Sequence, residues 1–204
     1  MNGKVNQEPD QTGIIKEFFN RCAPTWDDSC RQDSQKMNAI VSLAGVGTGS
    51  RVADVACGTG VLFPEILSRK PELLLGIDLS DGMIQKARSK FSSPRLRLVA
   101  SDLFDVRESG FDTVILYNAY PHFPDKIRLA RHLAAMLKPG GKFVVAHGEG
   151  KDAINSHHRG PAVSRISWEL RPVGEEAAKF TDDFKIDRMV DTDSLYLFSG
   201  VKLS

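Results

Sequence analysis

The stretch that decides the fold is RVADVACGTG, residues 51–60, followed by LLLGIDLS, residues 73–80. The apolar run from Arg51 to Cys57 predicts a short buried strand. The turn Gly58-Thr59-Gly60 then predicts a tight change of direction into a helix, because glycine adopts backbone conformations that other residues avoid. A second apolar run, Leu73–Leu79, predicts another buried strand. The pair indicates two parallel strands joined by a helical crossover.

The same alternation of strand and helix continues through the rest of the chain. Asp125 is placed to cap the helix between the fourth and fifth strands. Four polar residues separate the two closing apolar runs, which therefore predict an antiparallel hairpin. The expected later strands are Leu96–Leu103, Phe111–Ala119, Lys142–Gly148, Lys185–Val190 and Leu195–Leu203. The sequence thus predicts an α/β fold, a Rossmann-like three-layer sandwich with a mostly parallel seven-stranded sheet that ends in an antiparallel hairpin.

Length and composition predict one domain over residues 1–204, with a helical cap at 1–45 and an α/β core at 46–204. The chain has 41% hydrophobic residues, 26% charged residues and a formal charge of +1. That balance argues against a nucleic-acid partner, which a clear basic excess usually marks. No apolar run reaches the roughly 20 residues of a membrane span. Three cysteines form no CxxC pair, so we expect a reducing, cytoplasmic environment.

Two acidic residues follow the strands next to the glycine turn. Asp78 ends the second strand, 18 residues after Gly60, where a carboxylate can accept both hydroxyls of a ribose. Asp102 ends the third strand, where a carboxylate can accept from the exocyclic amine of an adenine. Three neighbours are expected to enclose the purine or offer it a backbone amide: Leu79, Met83 and Leu103. Since ligands of open α/β sheets lie at the carboxyl ends of the strands, the pattern predicts a nucleoside site.

The glycine turn differs from the two best-known phosphate-binding patterns. A dinucleotide fingerprint requires G-x-G-x-x-G, and Phe63 occupies the position of the third glycine. The pattern G-x-x-x-x-G-K-[ST] of a phosphate-binding P-loop is absent. These departures, together with the terminal hairpin, disfavour an NAD-dependent oxidoreductase.

At this point the chain resembles the class I S-adenosylmethionine-dependent methyltransferases over about residues 45–203. DVACGTG is similar to their first motif, GIDLS to their ribose-binding segment, SDL to their adenine-binding segment and LKPGGKFVV to the approach to their fifth strand. The resemblance implies S-adenosylmethionine as the cofactor. It also implies that Asp54, Ala56, Gly58 and Gly60 flank the methionine moiety, with Asn118 near the amino acid or the methyl group. Ala56 stands where many members of the family have glycine.

The candidate catalytic residues follow the fourth and fifth strands, in YNAYPHF and AHGEG. Here His122 and His147 are candidate bases, needed if the methyl acceptor starts protonated. Convergence of these histidines with His157 or His158 on a metal ion stays an alternative, although no metal site is the expectation. The stretch FFNRCAPTWDD resembles the entry segment that folds over the site in members acting on small molecules. The expected substrate pocket comprises Trp26, Tyr120, Phe123 and His158.

The predicted function is transfer of a methyl group from S-adenosylmethionine to a small-molecule acceptor. One alternative is a protein or RNA methyltransferase, which would show a partner surface or a basic stripe. Another is a non-catalytic regulator that binds S-adenosylmethionine but has a blocked methyl side. The sequence leaves the acceptor, the methylated atom and the oligomeric state open.

Overall fold

The computed structural model describes residues 11–29, 33–161 and 163–204. Its seven strands form one sheet in the order β3-β2-β1-β4-β5-β7-β6. The strands are β1 Arg51–Val55, β2 Leu73–Asp78, β3 Leu96–Ala100, β4 Phe111–Tyr117, β5 Leu137–His147, β6 Phe184–Thr192 and β7 Leu195–Lys202. Strands β1 to β5 pair in parallel, whereas β7 pairs antiparallel with both β5 and β6. The predicted fold class is therefore confirmed, including the closing hairpin.

Eight α-helices occur in the described part of the chain. They are α1 Gln11–Cys22, α2 Trp26–Ser29, α3 Ser34–Leu43, α4 Phe63–Ser68, α5 Asp81–Lys90, α6 Lys126–Met136, α7 Lys151–His157 and α8 Val173–Ala178. Side-chain caps fix three of their starts, the first being Asp33, which accepts from the Gln35 and Lys36 N–H groups at the start of α3. Ser80 accepts from the Met83 N–H at the start of α5, and Asp125 accepts from the Arg128 N–H at the start of α6. The Asp125 cap matches the sequence prediction, and in all three caps a Ser or Asp oxygen satisfies a free amide of the first turn.

Two strand boundaries differ from the predicted ones by more than two residues. The fifth strand begins at Leu137 rather than Lys142, since Leu137 already pairs with Phe111 across an irregularity in the ladder. The third strand ends at Ala100 rather than Leu103. There Asp102 accepts from the Phe104 N–H and starts a 3₁₀ turn, which ends the extended conformation. Both changes concern turn chemistry and leave the strand order unaffected.

The buried core lies on both faces of the sheet. On one face, α6 and α8 pack on the sheet, and strands of the closing hairpin contribute to a cluster of aromatic rings. In this cluster Phe143 stacks on Phe180, with 4.9 Å between the ring centroids. On the other face α3, α4 and α5 cover the same strands through aliphatic side chains and Phe63. A sheet covered on both faces is what parallel crossovers require.

The N-terminal helix α1 is attached to the start of α5 by polar contacts. Asn20 Oδ1 accepts hydrogen bonds from the Ser80 hydroxyl at 2.7 Å and from the Gly82 N–H at 3.0 Å. Lys16 pairs with Asp81 at 2.6 Å on the surface beside them. These bonds hold α1 across the carboxyl edge of the sheet, where the first three strands end.

Candidate functional site

A cavity of about 250 Å³ opens at the carboxyl ends of β1, β2 and β4. The chain passes from β1 through β2 to β3 on one side of β1 and returns to β4 on the other side. This reversal of strand order creates the crevice in which open α/β sheets bind ligands. Helix α1 and Trp26 close the cavity from above.

The glycine turn after β1 forms the floor of the cavity in a left-handed backbone conformation. Ala56 has φ +53° and Gly58 has φ +55°, and both residues line the cavity. Among the described residues, a Cβ atom added to Gly58 would have only the Trp26 Nε1 within 4 Å, at 3.9 Å. A ligand can therefore lie directly against this backbone. Ala56 takes the same conformation at a cost of about 1–2 kcal/mol, because its Cβ approaches the following carbonyl oxygen.

Asp78 connects the end of β2 to the glycine turn. Its Oδ2 accepts from the Gly58 N–H at 2.7 Å, and its Oδ1 accepts from the Ser80 N–H at 2.8 Å. Burial raises the pKa of Asp78 to about 6, although both backbone bonds lower it. Each carboxylate oxygen keeps acceptor capacity beyond its backbone bond. Since Asp78 also lines the cavity, it can both hold the turn and accept from a ligand hydroxyl.

Asp54, in β1, has a polar atom without a partner. Its Oδ2 is buried and makes no hydrogen bond within the described residues. Burial, and secondly the charge of Asp78, raise the pKa of Asp54 to about 8. A buried carboxylate without a partner is costly unless a ligand satisfies it. Because Asp54 lines the cavity, an ammonium or another cationic group of a ligand fits here.

Another wall of the cavity is formed by the residues that follow β3. Asp102, Leu103 and Phe104 line it after the end of that strand, with Leu79 and Met83 opposite them from the β2 side. The guanidinium of Arg128 lies 3.8 Å from the centre of the Phe104 ring. The cavity is thus flanked by apolar surfaces and one carboxylate at this end, as the sequence predicts for an adenine.

Aromatic rings form a continuous surface at the other end of the cavity, which we call the aromatic wall (Trp26, Phe19 and His122). The Phe19 ring lies 5.7 Å from Trp26 and 5.0 Å from His122, edge-on in both cases. Ile15 of α1 and Phe123 also line the cavity. Such edge-to-face pairs are favourable arrangements of aromatic rings.

A polar latch, formed by Asp27, Thr59 and Lys90, holds the segment of Trp26 against the glycine turn. The Thr59 hydroxyl donates to Asp27 at 2.6 Å, and Lys90 donates to Asp27 at 2.9 Å and to Thr59 at 3.2 Å. Lys90 and Thr59 lower the pKa of Asp27, outweighing the opposite effect of its partial burial. The latch therefore links the cover of the cavity to its floor.

The structure brings most of the predicted site residues to the cavity wall: Trp26, Asp54, Ala56, Gly58, Asp78, Leu79, Met83, Asp102, Leu103, Asn118, His122 and Phe123. Asn118 has φ +54°, and its side-chain oxygen accepts from the Gly148 N–H at 2.9 Å. That bond joins the end of β4 to the loop after β5. Asn118 is thereby held at the edge of the cavity.

Tyr120, which the sequence predicts for the substrate pocket, is not among the residues that line the cavity. Its side chain is fully buried, and its hydroxyl donates to Glu176 at 2.7 Å. Lys126 donates to the Tyr120 carbonyl and lies over its ring. Burial first, then the bond to Glu176, raises the pKa of Tyr120. Tyr120 thus anchors the loop after β4 to α8 instead of facing a ligand.

Three more expected site residues lie away from the cavity wall. Gly60 faces α4, where an added Cβ would be 2.5 Å from the Phe63 ring, so this glycine serves helix packing. His147 is only 3% exposed, and burial lowers its pKa to about 3. The His158 ring lies behind His122, with 5.3 Å between the ring centroids. Neither histidine is among the residues that line the cavity.

Several cavity residues were missed by the sequence analysis: Gln11, Thr12, Ile15, Phe19 and Arg128. Ile15 and Phe19 belong to the apolar stripe of α1, which predicts packing on the sheet. An apolar stripe has the same spacing whether it covers a core or lines a ligand cavity. The likeness of FFNRCAPTWDD to an entry segment was the one signal that pointed to this helix.

Within residues 11–29, 33–161 and 163–204, no three His, Cys, Asp or Glu side chains are grouped so that they could hold a metal ion. No helix of the described part is long and apolar enough to cross a membrane. Cys30, one of the three cysteines, lies outside the described residues.

Comparison with known proteins identifies the family. Residues 52–141 match a family model described as a methyltransferase domain, which covers the glycine turn, Asp78 and Asp102. Over these residues the chain carries a methyltransferase domain of the class I S-adenosylmethionine-dependent type. A demethylmenaquinone methyltransferase of Tropheryma whipplei strain Twist is 31% identical over 142 residues. The alignment covers 66% of this chain and 59% of that relative, so the chain spans less than two thirds of the relative's length.

Solved structures show the same fold at low sequence identity. A methyltransferase-type chain in complex with the Trm112 methyltransferase activator of Haloferax volcanii has a TM-score of 0.77 at 19% identity, covering 91% of this chain and 98% of that one. The magnesium protoporphyrin IX methyltransferase of Synechocystis with bound S-adenosylmethionine has a TM-score of 0.71 at 18% identity. It covers 97% of this chain and 100% of that one. These likenesses establish the methyltransferase fold.

Proposed function

We propose that this methyltransferase binds S-adenosylmethionine in the cavity and transfers its methyl group to a small-molecule acceptor. The observation that carries the proposal is the pairing of two features on one cavity wall. Asp78 is bonded to the glycine turn with acceptor capacity to spare, and the Oδ2 of Asp54 is buried without a hydrogen-bond partner. A ligand that has hydroxyl groups at one part and a cationic group at another can bond to Asp78 and to Asp54 at the same time.

The residues present fit this cofactor along its whole length. Asp102, Leu79 and Met83 are proposed to enclose the adenine, with the Leu103 amide offered to a ring nitrogen. Asp78 would accept from the ribose hydroxyls. Asp54 would face the ammonium of the methionine moiety, next to Ala56 and Gly58, and Asn118 would lie near the methyl group. Gly60 is not included among the contacts, since it packs on α4.

The cofactor supplies a methyl group on a positively charged sulfur, which becomes neutral when the methyl group leaves. The protein therefore has to align an acceptor with that methyl group and exclude water. Trp26 and α1 cover the cavity, and the latch holds this cover closed over the glycine turn. His122 is the proposed proton acceptor, because of the two candidate histidines it alone lines the cavity.

A small acceptor is supported by the closed shape of the site. Residues of α1 and the aromatic wall line the cavity, so an acceptor has to fit against them inside it, as a small molecule can. The formal charge of +1 gives no basic excess that would favour RNA. The relative from Tropheryma whipplei is named for a small molecule, demethylmenaquinone.

The experiment is a transfer assay with S-adenosylmethionine labelled on its methyl group. The protein is incubated with a cell extract divided into metabolites below about 3 kDa and macromolecules. We expect the label in the metabolite fraction. Label in acid-precipitable protein or RNA would contradict the small-molecule assignment. Retention of the cofactor without transfer to any fraction would support a non-catalytic regulator instead.

A further inference from the structure

The charges around the cavity restrict what can bind next to the cofactor. Four carboxylates line the cavity: Asp54, Asp78, Asp102 and Asp125. Among the described residues that line it, Arg128 is the single Lys or Arg, and its guanidinium is stacked on Phe104 at the adenine end. Protonation of an aspartate removes negative charge but adds no positive group. A carboxylate or phosphate on the acceptor would therefore find no cationic side chain other than Arg128 in the described lining and would meet like charge from the aspartates.

The walls of the acceptor end are mostly aromatic and aliphatic. The aromatic wall runs without interruption from Trp26 through Phe19 to His122, and Ile15 and Phe123 complete it. The polar neighbours contributed by α1, Gln11 and Thr12, are uncharged. Planar rings of this kind pack well against a planar ligand. The surface thus favours an aromatic acceptor that carries no charge.

The hydrogen bonds of His122 fix its tautomer. Its Nδ1 lies 2.9 Å from the backbone carbonyl oxygen of Ile166. A carbonyl oxygen only accepts, so Nδ1 carries the hydrogen and Nε2 carries the lone pair of the neutral ring. The Ser167 hydroxyl, 3.1 Å from the same nitrogen, can share that hydrogen as a second acceptor. Burial lowers the pKa of His122 to about 4, which keeps the ring neutral at physiological pH.

Resting on the proposed function, we infer that the methyl acceptor is an uncharged aromatic hydroxyl, a phenol, and that His122 Nε2 takes its proton. The oxygen–hydrogen bond breaks and the proton moves to Nε2. The oxygen electron pair forms the new bond to the methyl carbon, while the electrons of the carbon–sulfur bond stay on sulfur. An aryl oxygen that is gaining a methyl group becomes strongly acidic, so a weakly basic imidazole suffices as the proton acceptor.

Calorimetry with a matched pair of ligands tests the acceptor class. The protein is first titrated with S-adenosylhomocysteine, and the saturated complex is then titrated at pH 7.5 with 4-butylphenol or with 4-butylbenzoate. We expect the phenol to bind at least tenfold more tightly than the benzoate. Equal or tighter binding of the benzoate, or no binding of either ligand, would overturn the inference while leaving the cofactor site intact. Failure of S-adenosylhomocysteine itself to bind would overturn the proposed function.

Turnover of substituted phenols tests the role of His122. In His122→Gln, we expect the affinity for S-adenosylhomocysteine to stay the same and turnover of 4-butylphenol to fall by about 10²-fold or more. Across a series of substituted phenols, the loss of turnover in His122→Gln should become smaller as the phenol becomes more acidic, because an acidic phenol gives up its proton more readily. The exposed His157, which pairs with Glu149, provides the matched control His157→Gln, for which we expect no loss. The same loss across the whole series would show that His122 only shapes the pocket.

Discussion

Replacing Asp78 by asparagine tests the cofactor site most sharply. Its two oxygens accept the Gly58 and Ser80 N–H groups at 2.7 and 2.8 Å. An asparagine side chain has one oxygen and one NH₂ group, so it keeps one of these bonds and turns a donor toward the other N–H. The glycine turn loses a charge-assisted bond, and a bound ribose loses an ionised acceptor.

The expected loss follows from the strength of one such bond. A hydrogen bond to a charged group contributes about 1.5–3 kcal/mol. If the ribose loses one bond of this kind, the Kd for S-adenosylhomocysteine rises by about 10- to 150-fold. The assay is isothermal titration calorimetry, with circular dichroism to verify that the variant is folded.

Asp81→Asn is the matched control for this substitution. Asp81 lies three residues further along, is exposed, and pairs with Lys16 instead of lining the cavity. For Asp81→Asn we expect the Kd for S-adenosylhomocysteine to stay within about twofold of the parent value, since surface ion pairs contribute little. A folded Asp78→Asn variant whose Kd is within threefold of the parent value would refute the assignment of Asp78 to the ribose.

Three other predictions concern pH, stability and the latch. The pKa of Asp54 in the folded protein is about 8, above its ordinary value of 3.8. The folded state therefore holds more protons than the unfolded state between these values, and the free energy of unfolding of the ligand-free protein should fall as the pH rises from about 4 to 8. A cationic ligand favours the ionised form of Asp54, so S-adenosylmethionine should bind more tightly at pH 8 than at pH 6, and its binding at pH 7 should release protons from the protein. Calorimetry in buffers of different ionisation enthalpy measures the number of protons released. Proton uptake on binding would contradict this prediction. Tyr120→Phe removes the bond to Glu176 and should lower the free energy of unfolding in urea by about 1.5–3 kcal/mol with an unchanged cofactor Kd; a Kd raised more than threefold would return Tyr120 to the site. Asp27→Asn weakens the bond to Thr59 and should speed cofactor dissociation about two- to fivefold in stopped-flow experiments, whereas an unchanged rate would show that the latch does not hold the cover.

The glycine turn and the strand-end acids could be predicted from the sequence because their chemistry is local. Left-handed φ values at Gly58 and Gly60 leave few residue types available, and a strand in a parallel sheet must deliver Asp78 to the carboxyl edge. The order of elements then fixed the architecture through the handedness of the crossovers. These parts of the prediction required no knowledge of distant contacts.

The positions of Tyr120 and His147 could not be predicted in the same way. Each lies within a few residues of the cavity, but the face that a side chain takes at a strand end depends on the local backbone. Tyr120 turns inward because Glu176, 56 residues later, offers its carboxylate, and His147 pairs in the ladder opposite Tyr196 of β7. Phe19 was missed for a related reason, since its partner His122 lies about 100 residues away in the chain. Contacts at such separation are set by packing and not by motif spacing.

We propose that one cavity binds the cofactor through the glycine turn and three acids, Asp54, Asp78 and Asp102. Equilibrium dialysis of the folded protein against tritiated S-adenosylmethionine tests it directly. We expect one equivalent to be retained per chain and to be displaced by unlabelled S-adenosylhomocysteine but not by NAD. Absence of retained label, or displacement by NAD alone, would contradict the claim.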